Sequence, residues 1–366
     1  MGDFTKGINK GQKRGKIRLF PILFKGAKKG NEMSYNIAIN GFGRIGRNII
    51  RAHIERSNST IQIAAVNDLA PIEHAAFLLE YDSVHGHLVA DIHHDDDYIY
   101  INDLPPIRYI QQGDMAKLEW NAYDISLVME CTGRFTAAEA AAEHIQKGAS
   151  RVLVSAPSAG ADKTIVYGIN HTAITDADKI ISAASCTTNC LAPMAKLVHE
   201  ACGLQQGFMT TIHAYTSDQG LLDAEHNDMY RARAAAINMI PTTTGAARAV
   251  GLVLPELAGK LDGVSVRVPT PNVSAVDLVF IPERKIEAEA LNTLFREASD
   301  GNLKGIMAAT DKKLVSGDLN HSPASVTMHL DQTKVMADGM VRLFGWYDNE
   351  WGFSNRMLDI ACYLSR

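Results

Sequence analysis

Residues 35–46 have the sequence YNIAINGFGRIG, a short apolar strand that runs directly into three glycines. The residues that follow predict an amphipathic helix over 47–56 and a second apolar strand over 61–66, which closes on Asn67 and Asp68. This order of strand, glycine turn, helix, strand and acid is typical of a mononucleotide-binding βαβ unit. The fold class that it predicts is α/β, with a doubly wound, mostly parallel sheet.

Each glycine of this turn has a physical task. Gly41 permits the tight turn, Gly43 lets the backbone approach a pyrophosphate, and Gly46 lets the helix pack closely on the strand. The first N–H groups of the helix then face the phosphates at the positive end of the helix dipole. Asp68 lies 22 residues beyond Gly46, where its carboxylate can accept both hydroxyls of an adenosine ribose. The pattern predicts dinucleotide binding, and the plainer alternative is a tight turn without a ligand.

The chain continues the same alternation beyond this unit. It predicts strands over 124–130 and 151–157, with a helix over 137–147 between them. Both strands end in small polar residues, which suit cofactor contacts at the carboxyl edge of a parallel sheet. The segment 93–97 has two histidines and three aspartates, which predict a polar hairpin turn, with a metal site as the alternative.

Charge divides the chain into a basic arm and an acidic body. Residues 1–32 contain nine Lys or Arg against Asp3 and Glu32, a net of +7, so a whole-chain charge of −5 leaves −12 for the remainder. We predict that 1–33 is a disordered extension outside the fold. It is interpreted as an upstream start or leader, a basic tail that touches anionic surfaces, or a targeting peptide.

Composition excludes several classes of protein. With 46% hydrophobic and 21% charged residues, the chain is too apolar for a long disordered protein. No run of about 18 uncharged apolar residues occurs, so no membrane-spanning helix is predicted. The five cysteines are too irregular for a disulfide framework, and they predict reduced thiols in a cytoplasmic protein. We expect a soluble, enzyme-sized protein of two domains.

A cysteine at a predicted helix start is the candidate nucleophile. A strand predicted over 180–185 stops at Cys186, and N-capping residue types and an apolar helical stretch follow. The helix dipole there stabilises a thiolate. His213, at the end of a strand predicted over 208–212, can lower the thiol pKa further, so the two residues predict an activated sulfur nucleophile. The alternative is that Cys186 is a small buried apolar residue.

The remaining cysteines are interpreted as packing residues. Cys190 lies one turn after Cys186 on the same helix face, and for it a resolving thiol or a metal ligand are the alternatives. Cys131, Cys202 and Cys362 are expected to behave as small hydrophobic residues.

Five motifs together resemble phosphorylating glyceraldehyde-3-phosphate dehydrogenase of type I. They are NGFGRIGR at 40–47, SCTTNC at 185–190, PTTTGAA at 241–247, RVPTPNVS at 267–274 and WYDNE at 346–350. The resemblance covers 34–366 in order and without a large gap. It implies an NAD-binding Rossmann domain over 34–184, an α+β catalytic domain over 185–351, and a C-terminal helix over 352–366 that packs on the first domain.

The activity that the resemblance implies is NAD-dependent oxidative phosphorylation of D-glyceraldehyde 3-phosphate to 1,3-bisphosphoglycerate, a step of glycolysis and gluconeogenesis. Cys186 would attack the aldehyde with His213 as base, and inorganic phosphate would release the acyl group from a thioester. The resemblance further implies a homotetramer, in which the loop over 215–233 lies near a neighbour's cofactor groove, and no metal.

Two other functions are weighed. Erythrose-4-phosphate dehydrogenase has the same thiol chemistry with water as the acyl acceptor, and the intact PTTTGAA segment argues against it. A nucleotide-binding scaffold could instead use its basic arm to hold nucleic acid or a membrane. The acidic body argues against nucleic acid, and we expect neither as a partner.

The resemblance also assigns binding residues by position. The substrate phosphate would contact Thr216 and Arg267, and Arg267 in an apolar strand needs a partner for its charge. The residues that would line the pocket for inorganic phosphate are Ser185, Thr187, Arg231, Thr244 and Gly245. Those that would bind NAD, beside the three glycines, are Arg44, Ile45, Asp68, Thr132, Ser155 and Asn349. Without the resemblance, Arg231 could equally belong to a solvated helix face.

The sequence departs from the family pattern at the cofactor. Gly113 replaces an arginine beside the adenine of many relatives, and Phe353 replaces a frequent tyrosine. Ala224 and Glu225 replace a Leu-Pro pair common in strictly NAD-using members. The small Ala224 leaves room for the 2′-phosphate of NADP, whereas Asp68 and Glu225 repel it, so NAD is the predicted cofactor.

Overall fold

The computed structural model of the protein describes residues 35–56 and 60–366. The extension predicted over 1–33 lies outside the described residues. The described part contains two large sheets, one built before Cys186 and the other after it. The α/β fold class is thereby confirmed.

The first sheet and its helices come from the first half of the chain. The strands are β1 (Tyr35–Asn40), β2 (Ile61–Asn67), β3 (Tyr81–Asp82), β4 (Gly86–His87), β5 (Ile92–His94), β6 (Tyr98–Ile101), β7 (Ile107–Ile110), β8 (Leu127–Glu130), β9 (Arg151–Val154), β10 (Lys163–Thr164) and β11 (Ile180–Ser182). The helices are α1 (Arg44–Glu55), α2 (Ile72–Glu80), α3 (Ala138–Ala141) and α4 (Glu143–Gln146).

Among the described residues the first sheet has nine strands in the order β10-β11-β9-β8-β1-β2-β7-β6-β5, and β3 and β4 pair with each other in a separate two-stranded sheet. The strands from β10 to β7 run parallel, and β6 and β5 add an antiparallel hairpin at the edge. Ile37 and Ala38 of the central β1 point into apolar clusters on opposite faces. This burial on both faces explains why β1 is a continuous apolar run, as in other parallel sheets.

The structure decides two local predictions in this half. The segment 93–97 forms the predicted hairpin turn, in which the Asp95 carboxylate accepts hydrogen bonds from the N–H groups of Asp97 and Tyr98. The single helix predicted over 137–147 is wrong in part, since α3 and α4 are interrupted at Ala142. Its φ of −62° and ψ of −20° tighten the turn toward 3₁₀ geometry.

The second half of the chain builds the other sheet. Its strands are β12 (Leu204–Ala214), β13 (Ile240–Thr243), β14 (Leu261–Val268), β15 (Ser274–Pro282), β16 (Met307–Thr310), β17 (Val326–His329), β18 (Lys334–Val335) and β19 (Val341–Tyr347). Its helices are α5 (Cys186–Cys202), α6 (Ala246–Val253), α7 (Ala288–Asp300) and α8 (Trp351–Leu364). The strand order is β13-β14-β12-β15-β19-β17-β16, with β18 paired to β19.

Two helices complete the cores. The buried face of α5 lies in the apolar cluster of the second sheet, together with residues of β15 and β19. Helix α8 returns to the first half, where Met357 and Ile360 share an apolar cluster with β1 and α1. Among the described residues, no helix is long and apolar enough to cross a membrane. The domain boundaries at 184/185 and 351/352 stay predictions.

The glycine turn after β1 has the tight packing that the sequence predicts. Gly41 has a φ of +96°, a conformation that favours glycine, and a Cβ there would lie 2.6 Å from the Thr132 nitrogen. A Cβ on Gly46 would lie 2.2 Å from the Gly41 carbonyl oxygen. Gly43, by contrast, has no atom within 4 Å of its Cβ position. Two of the glycines are therefore needed for the fold itself, and Gly43 leaves space open.

We expect Gly46→Ala to lower the melting temperature by about 5 °C or more, because overpacking against a backbone oxygen costs ~1–3 kcal/mol. Gly43→Ala is the matched control and should change the melting temperature by less than about 1 °C, since its new methyl group meets no atom. Calorimetric melting of both variants measures this difference. Equal melting temperatures would contradict the contact between Gly41 and Gly46.

Candidate active site

The thiol of Cys186 lies at the first residue of α5. Ser185 caps this helix, and its Oγ accepts a hydrogen bond of 3.0 Å from the Thr188 N–H. The sequence predicts the N-cap among the residues that follow Cys186. In the structure the N-cap is Ser185, the residue before Cys186. Ala184 has a φ of +58°, a strained conformation for a residue with a side chain. The strained turn and the cap together fix where α5 begins and where its first side chain points.

His213, near the end of β12, faces this thiol. Its Nε2 is 3.6 Å from the Cys186 Sγ, and its Nδ1 is 2.7 Å from the Ala214 carbonyl oxygen. A carbonyl can only accept, so Nδ1 carries the proton and Nε2 offers its lone pair to the thiol. The structure therefore brings the predicted nucleophile and base together, in the tautomer that a base requires.

Burial governs the charges of this pair. Burial raises the pKa of the Cys186 thiol, and the positive charge of Arg267 and the hydrogen bonds of Thr187 oppose this rise only in part. Burial, reinforced by the charge of Arg267, lowers the pKa of His213 to about 3. Burial thus opposes the lowering of the thiol pKa that the sequence predicts. The imidazole of His213 is neutral at physiological pH.

Arg267, on β14 beside His213, is a half-buried cation that lacks a carboxylate partner within residues 35–56 and 60–366. Its Nη1 donates to the Thr216 Oγ1 at 3.0 Å and to the Ala214 carbonyl oxygen at 3.2 Å. Its Nε is buried without a hydrogen-bond partner. An uncompensated guanidinium is costly unless an anion binds it. The geometry thus fits a phosphate pocket at Thr216 and Arg267, close to the thiol.

The residues predicted to bind inorganic phosphate are less accessible, because two of them already form hydrogen bonds within the protein. Arg231 donates to the Asp218 Oδ2 at 2.9 Å and to the Thr242 Oγ1 at 3.0 Å, and it lies in a turn rather than on a helix face. The Thr187 hydroxyl is 2.8 Å from the Tyr347 hydroxyl in the core, so it is turned away from solvent. Thr244 and Gly245 precede α6, where Gly245 is exposed.

A cleft of about 260 Å³ opens at the carboxyl ends of the parallel strands. Gly41, Gly43, Asp68, Gly113 and Thr132 are among the residues that line it. The Asp68 carboxylate accepts the Phe42 N–H at 2.6 Å and the Leu69 N–H at 2.8 Å. These bonds hold the carboxylate in place at the cleft. The open space at Gly43 and this fixed acceptor fit a dinucleotide with a free ribose diol.

Arg44 and Ile45 start α1 beside this cleft, but the Arg44 side chain has another function. Its guanidinium forms ion pairs with Asp82 and with Glu350. These bonds outweigh the burial that would lower the pKa of Arg44, and they raise it instead. Only the backbone N–H groups of Arg44 and Ile45 are left for a phosphate. The sequence did not indicate the roles of Asp82 and Glu350, although Glu350 belongs to the WYDNE motif.

Asn349 is buried, and its amide is oriented by a chain of hydrogen bonds. The Ala214 N–H donates to the Ser274 Oγ at 3.0 Å, and this hydroxyl donates to the Asn349 Oδ1 at 2.8 Å. The Asn349 NH₂ group is therefore the one that can face a ligand. Val273, just before Ser274, has a φ of +67°, which is strained for a β-branched residue. Ser274 belongs to the RVPTPNVS motif, but the sequence does not indicate this orienting role.

Of the remaining residues considered from the sequence, Ser155 lies near the cleft and Cys190 lies in the core. Ser155 follows β9, and its side chain hydrogen-bonds Cys131, which lines the cleft. Cys190 is fully buried and packs in the core of the second sheet, as the packing interpretation predicts. Within the described residues, no group of three or more His, Cys, Asp or Glu side chains could hold a metal ion.

Comparison with known proteins gives consistent matches. A family model described as "Glyceraldehyde 3-phosphate dehydrogenase, NAD binding domain" matches 35–138, and one described as "Glyceraldehyde 3-phosphate dehydrogenase, C-terminal domain" matches 185–349. The chain is 56% identical to a glyceraldehyde-3-phosphate dehydrogenase of Cereibacter sphaeroides and 54% identical to one of Xanthobacter flavus. It is 50% identical to the chromosomal enzyme of that name from Cupriavidus necator. Each match covers 91% of this chain and 99% of the relative.

We expect His213→Asn to move the pH profile of Cys186 alkylation by iodoacetamide upward by about one pH unit or more, ~1.4 kcal/mol. The reason is that the imidazole can no longer take the thiol proton, so the reactive thiolate forms only as the pH approaches the raised pKa of Cys186. The measurement is the alkylation rate as a function of pH. His93→Asn, in the exposed hairpin, is the matched control and should leave the profile unchanged. An unchanged profile in His213→Asn would refute the pairing.

Proposed function

The chain belongs to the glyceraldehyde-3-phosphate dehydrogenase family, and from that premise we propose that it phosphorylates D-glyceraldehyde 3-phosphate oxidatively through a thioester on Cys186. It is an NAD-dependent oxidoreductase that acts on an aldehyde. The product would be 1,3-bisphosphoglycerate, which makes the reaction a step of glycolysis and gluconeogenesis. The names of the matched relatives do not favour erythrose-4-phosphate dehydrogenase.

The observation that carries the mechanism is the 3.6 Å contact between the Cys186 Sγ and the lone pair of His213 Nε2. In the proposed first step His213 takes the thiol proton as the sulfur attacks the aldehyde carbon, which avoids a free thiolate in a buried site. The imidazolium, held by the Ala214 carbonyl, can return this proton to the aldehyde oxygen, which completes the hemithioacetal, and the neutral imidazole can then remove the hydroxyl proton as the hydride leaves. NAD supplies the hydride acceptor when it is bound.

Two positive groups serve the two anions of this reaction. The Arg267 guanidinium, with its free Nε and its bond to Thr216, would hold the phosphate of the substrate. Arg231 would hold the inorganic phosphate that attacks the thioester, together with Ser185, Thr244 and Gly245, whereas the Thr187 hydroxyl is directed at Tyr347 in the core and is not included. Arg231 has N–H groups left beyond its bonds to Asp218, Thr242 and Thr243, so it can bind an anion without breaking them.

The cleft residues would hold NAD in the orientation that this chemistry needs. Gly43 and the first N–H groups of α1 would contact the pyrophosphate, and Asp68 the adenosine ribose. Thr132 and Ser155 would line the groove. Asn349 would fix the carboxamide through its NH₂ group, since its oxygen already accepts from Ser274.

We further propose that the protein is a cytoplasmic homotetramer without a metal. Five large apolar residues of the loop region after β12 are three-quarters or more exposed: Leu221, Leu222, Met229, Ile237 and Met239. An exposed apolar set of this kind supports contact with another copy of the chain. The free thiols of Cys186 and Cys190, one helix turn apart, fit a reducing compartment.

Formation of NADH from glyceraldehyde 3-phosphate, with and without inorganic phosphate, tests the function. Cys186→Ser should lower kcat at least about 10³-fold, because a serine hydroxyl is too weak an acid to replace the thiol. NAD affinity, measured by calorimetry, should change less than about threefold. Cys190→Ser is the matched control and should keep kcat, since Cys190 packs in the core. NADH formation that does not depend on phosphate would instead assign water as the acyl acceptor.

Cofactor choice gives a second test. The Asp68 carboxylate is held at the cleft by three backbone N–H groups, so it cannot turn away from a 2′-phosphate. We therefore expect kcat/KM to favour NAD over NADP by at least about tenfold, ~1.4 kcal/mol. Asp68→Ala should narrow this ratio mainly by improving NADP. Steady-state kinetics with both cofactors measure it, and equal efficiencies in the unmutated protein would be incompatible with this interpretation.

A further inference from the structure

A buried carboxylate lies beneath the cleft and has no part in the mechanism above. Glu130 is the last residue of β8, and its side chain is fully buried. Its Oε2 accepts from the Asn40 NH₂ group at 2.6 Å and from the His144 Nε2 at 3.1 Å. Its Oε1 accepts from the N–H and the hydroxyl of Thr132. Four donors thus converge on one side chain, and both of its oxygens act as acceptors.

The tautomer of His144, one of the two donors to Oε2, is fixed by its other hydrogen bond. The Trp120 Nε1–H donates to the His144 Nδ1 at 2.9 Å, and an indole can only donate. The proton of His144 must therefore be on Nε2, where it points at Glu130. This end of the network is closed by Trp120, which is fully buried away from the cleft.

The other end of the network reaches the backbone of Gln112. The Asn67 Oδ1 accepts the Gln112 N–H at 2.9 Å, and the Asn67 NH₂ group donates to the Gln112 carbonyl oxygen at 3.0 Å. These two bonds fix the direction of the Asn67 amide. Its NH₂ group also donates to the Asn40 Oδ1 at 2.7 Å, so Asn40 must turn its own NH₂ group toward Glu130.

Asn40, Asn67 and Glu130 each end a strand that borders the cleft, and Gln112 lies two residues beyond the end of β7. Asn40 immediately precedes Gly41, and Asn67 immediately precedes Asp68. Gln112 precedes Gly113, and Glu130 lies two residues before Thr132. All four of those following residues line the cleft. The carboxylate therefore joins the four chain segments that would surround the adenosine half of NAD.

We propose that Glu130 is a positioning residue for NAD, whose carboxylate sets the direction of the Asn40–Asn67–Gln112 hydrogen bonds and thereby holds the cleft in its binding conformation. This proposal rests on the proposed placement of NAD in the cleft. Only a group with two acceptor oxygens satisfies the four donors. A glutamine at 130 would turn an NH₂ group either toward the Thr132 N–H or toward Asn40 and His144. Both orientations leave donors facing each other in a buried site, which is unfavourable.

The test compares Glu130→Gln with the unmutated full chain. We expect its Kd for NAD, measured by calorimetry, and its KM for NAD to rise at least about tenfold. Its kcat should stay within about threefold and its KM for glyceraldehyde 3-phosphate within about twofold, because the network does not contact Cys186 or Arg267. A Kd and KM for NAD within twofold of the unmutated values would overturn the proposal.

Trp120→Phe is the matched control, because it removes one hydrogen bond of the same network at the end away from the cleft. It should lower the melting temperature and leave the Kd for NAD within about twofold. An equal loss of NAD affinity in Trp120→Phe would assign the effect to general destabilisation and would refute positioning by Glu130.

Asn67→Ala decides the matter if Glu130→Gln does not fold, since it breaks the amide chain while Glu130 keeps its four donors. Its Kd for NAD should rise at least about threefold, and an unchanged Kd would overturn the proposal. The calorimetric Kd also separates this proposal from the proposed function. An unmutated protein that binds NAD but forms no NADH from glyceraldehyde 3-phosphate would refute the function, and the Kd values of the variants would still test Glu130.

Discussion

The ion pairs of Arg44 with Asp82 and Glu350 are the constraint on which the active site depends. Arg44 begins the helix that faces the cofactor cleft, and Glu350 directly follows Asn349. Burial would raise the pKa of Asp82, yet the hydrogen bonds from Arg44 and from the His85 and Val84 N–H groups outweigh it and lower that pKa to about 2. The bridge therefore stays charged at any physiological pH. It fixes the distance between the part of the chain that would bind the pyrophosphate and the part that would bind the nicotinamide.

A second constraint is the backbone of Ala214. Its carbonyl oxygen accepts from the Nδ1 of His213 and from the Nη1 of Arg267, and its N–H donates to Ser274, which orients Asn349. The two peptide groups that flank Ala214 thus align His213, Arg267 and Asn349. Because β12 is hydrogen-bonded on both sides, to β14 and to β15, this alignment rests on the rigid centre of the second sheet.

The positions of the reactive residues were easier to predict from the sequence than their pKa values and their side-chain partners. The glycine turn and the pairing of Cys186 with His213 were predictable, since each follows from a motif or from the end of a strand, whereas Thr216 and Arg267 were assigned to one pocket only by the family resemblance. The opposing effect of burial on the thiol pKa was not predictable, because the helix dipole is a local effect whereas burial results from the packing of the second sheet around the site. The function of the Arg44 side chain was missed for a similar reason, since Asp82 and Glu350 are 38 and 306 residues away in the chain.

By itself the sequence determined the α/β class, the glycine turn after β1, the acidic residue that follows β2 and the thiol at a helix start. These features depend on local sequence patterns, namely apolar periodicity, glycine spacing and capping residue types. The tertiary structure alone decided which hydrogen bonds the polar side chains form. Asn40, Asn67 and Glu130 end separate strands, and only their arrangement in one parallel sheet turns them into a single directed network. Buried polar groups must find partners wherever packing places them, so their roles follow from contacts across the sheet rather than from neighbours in sequence.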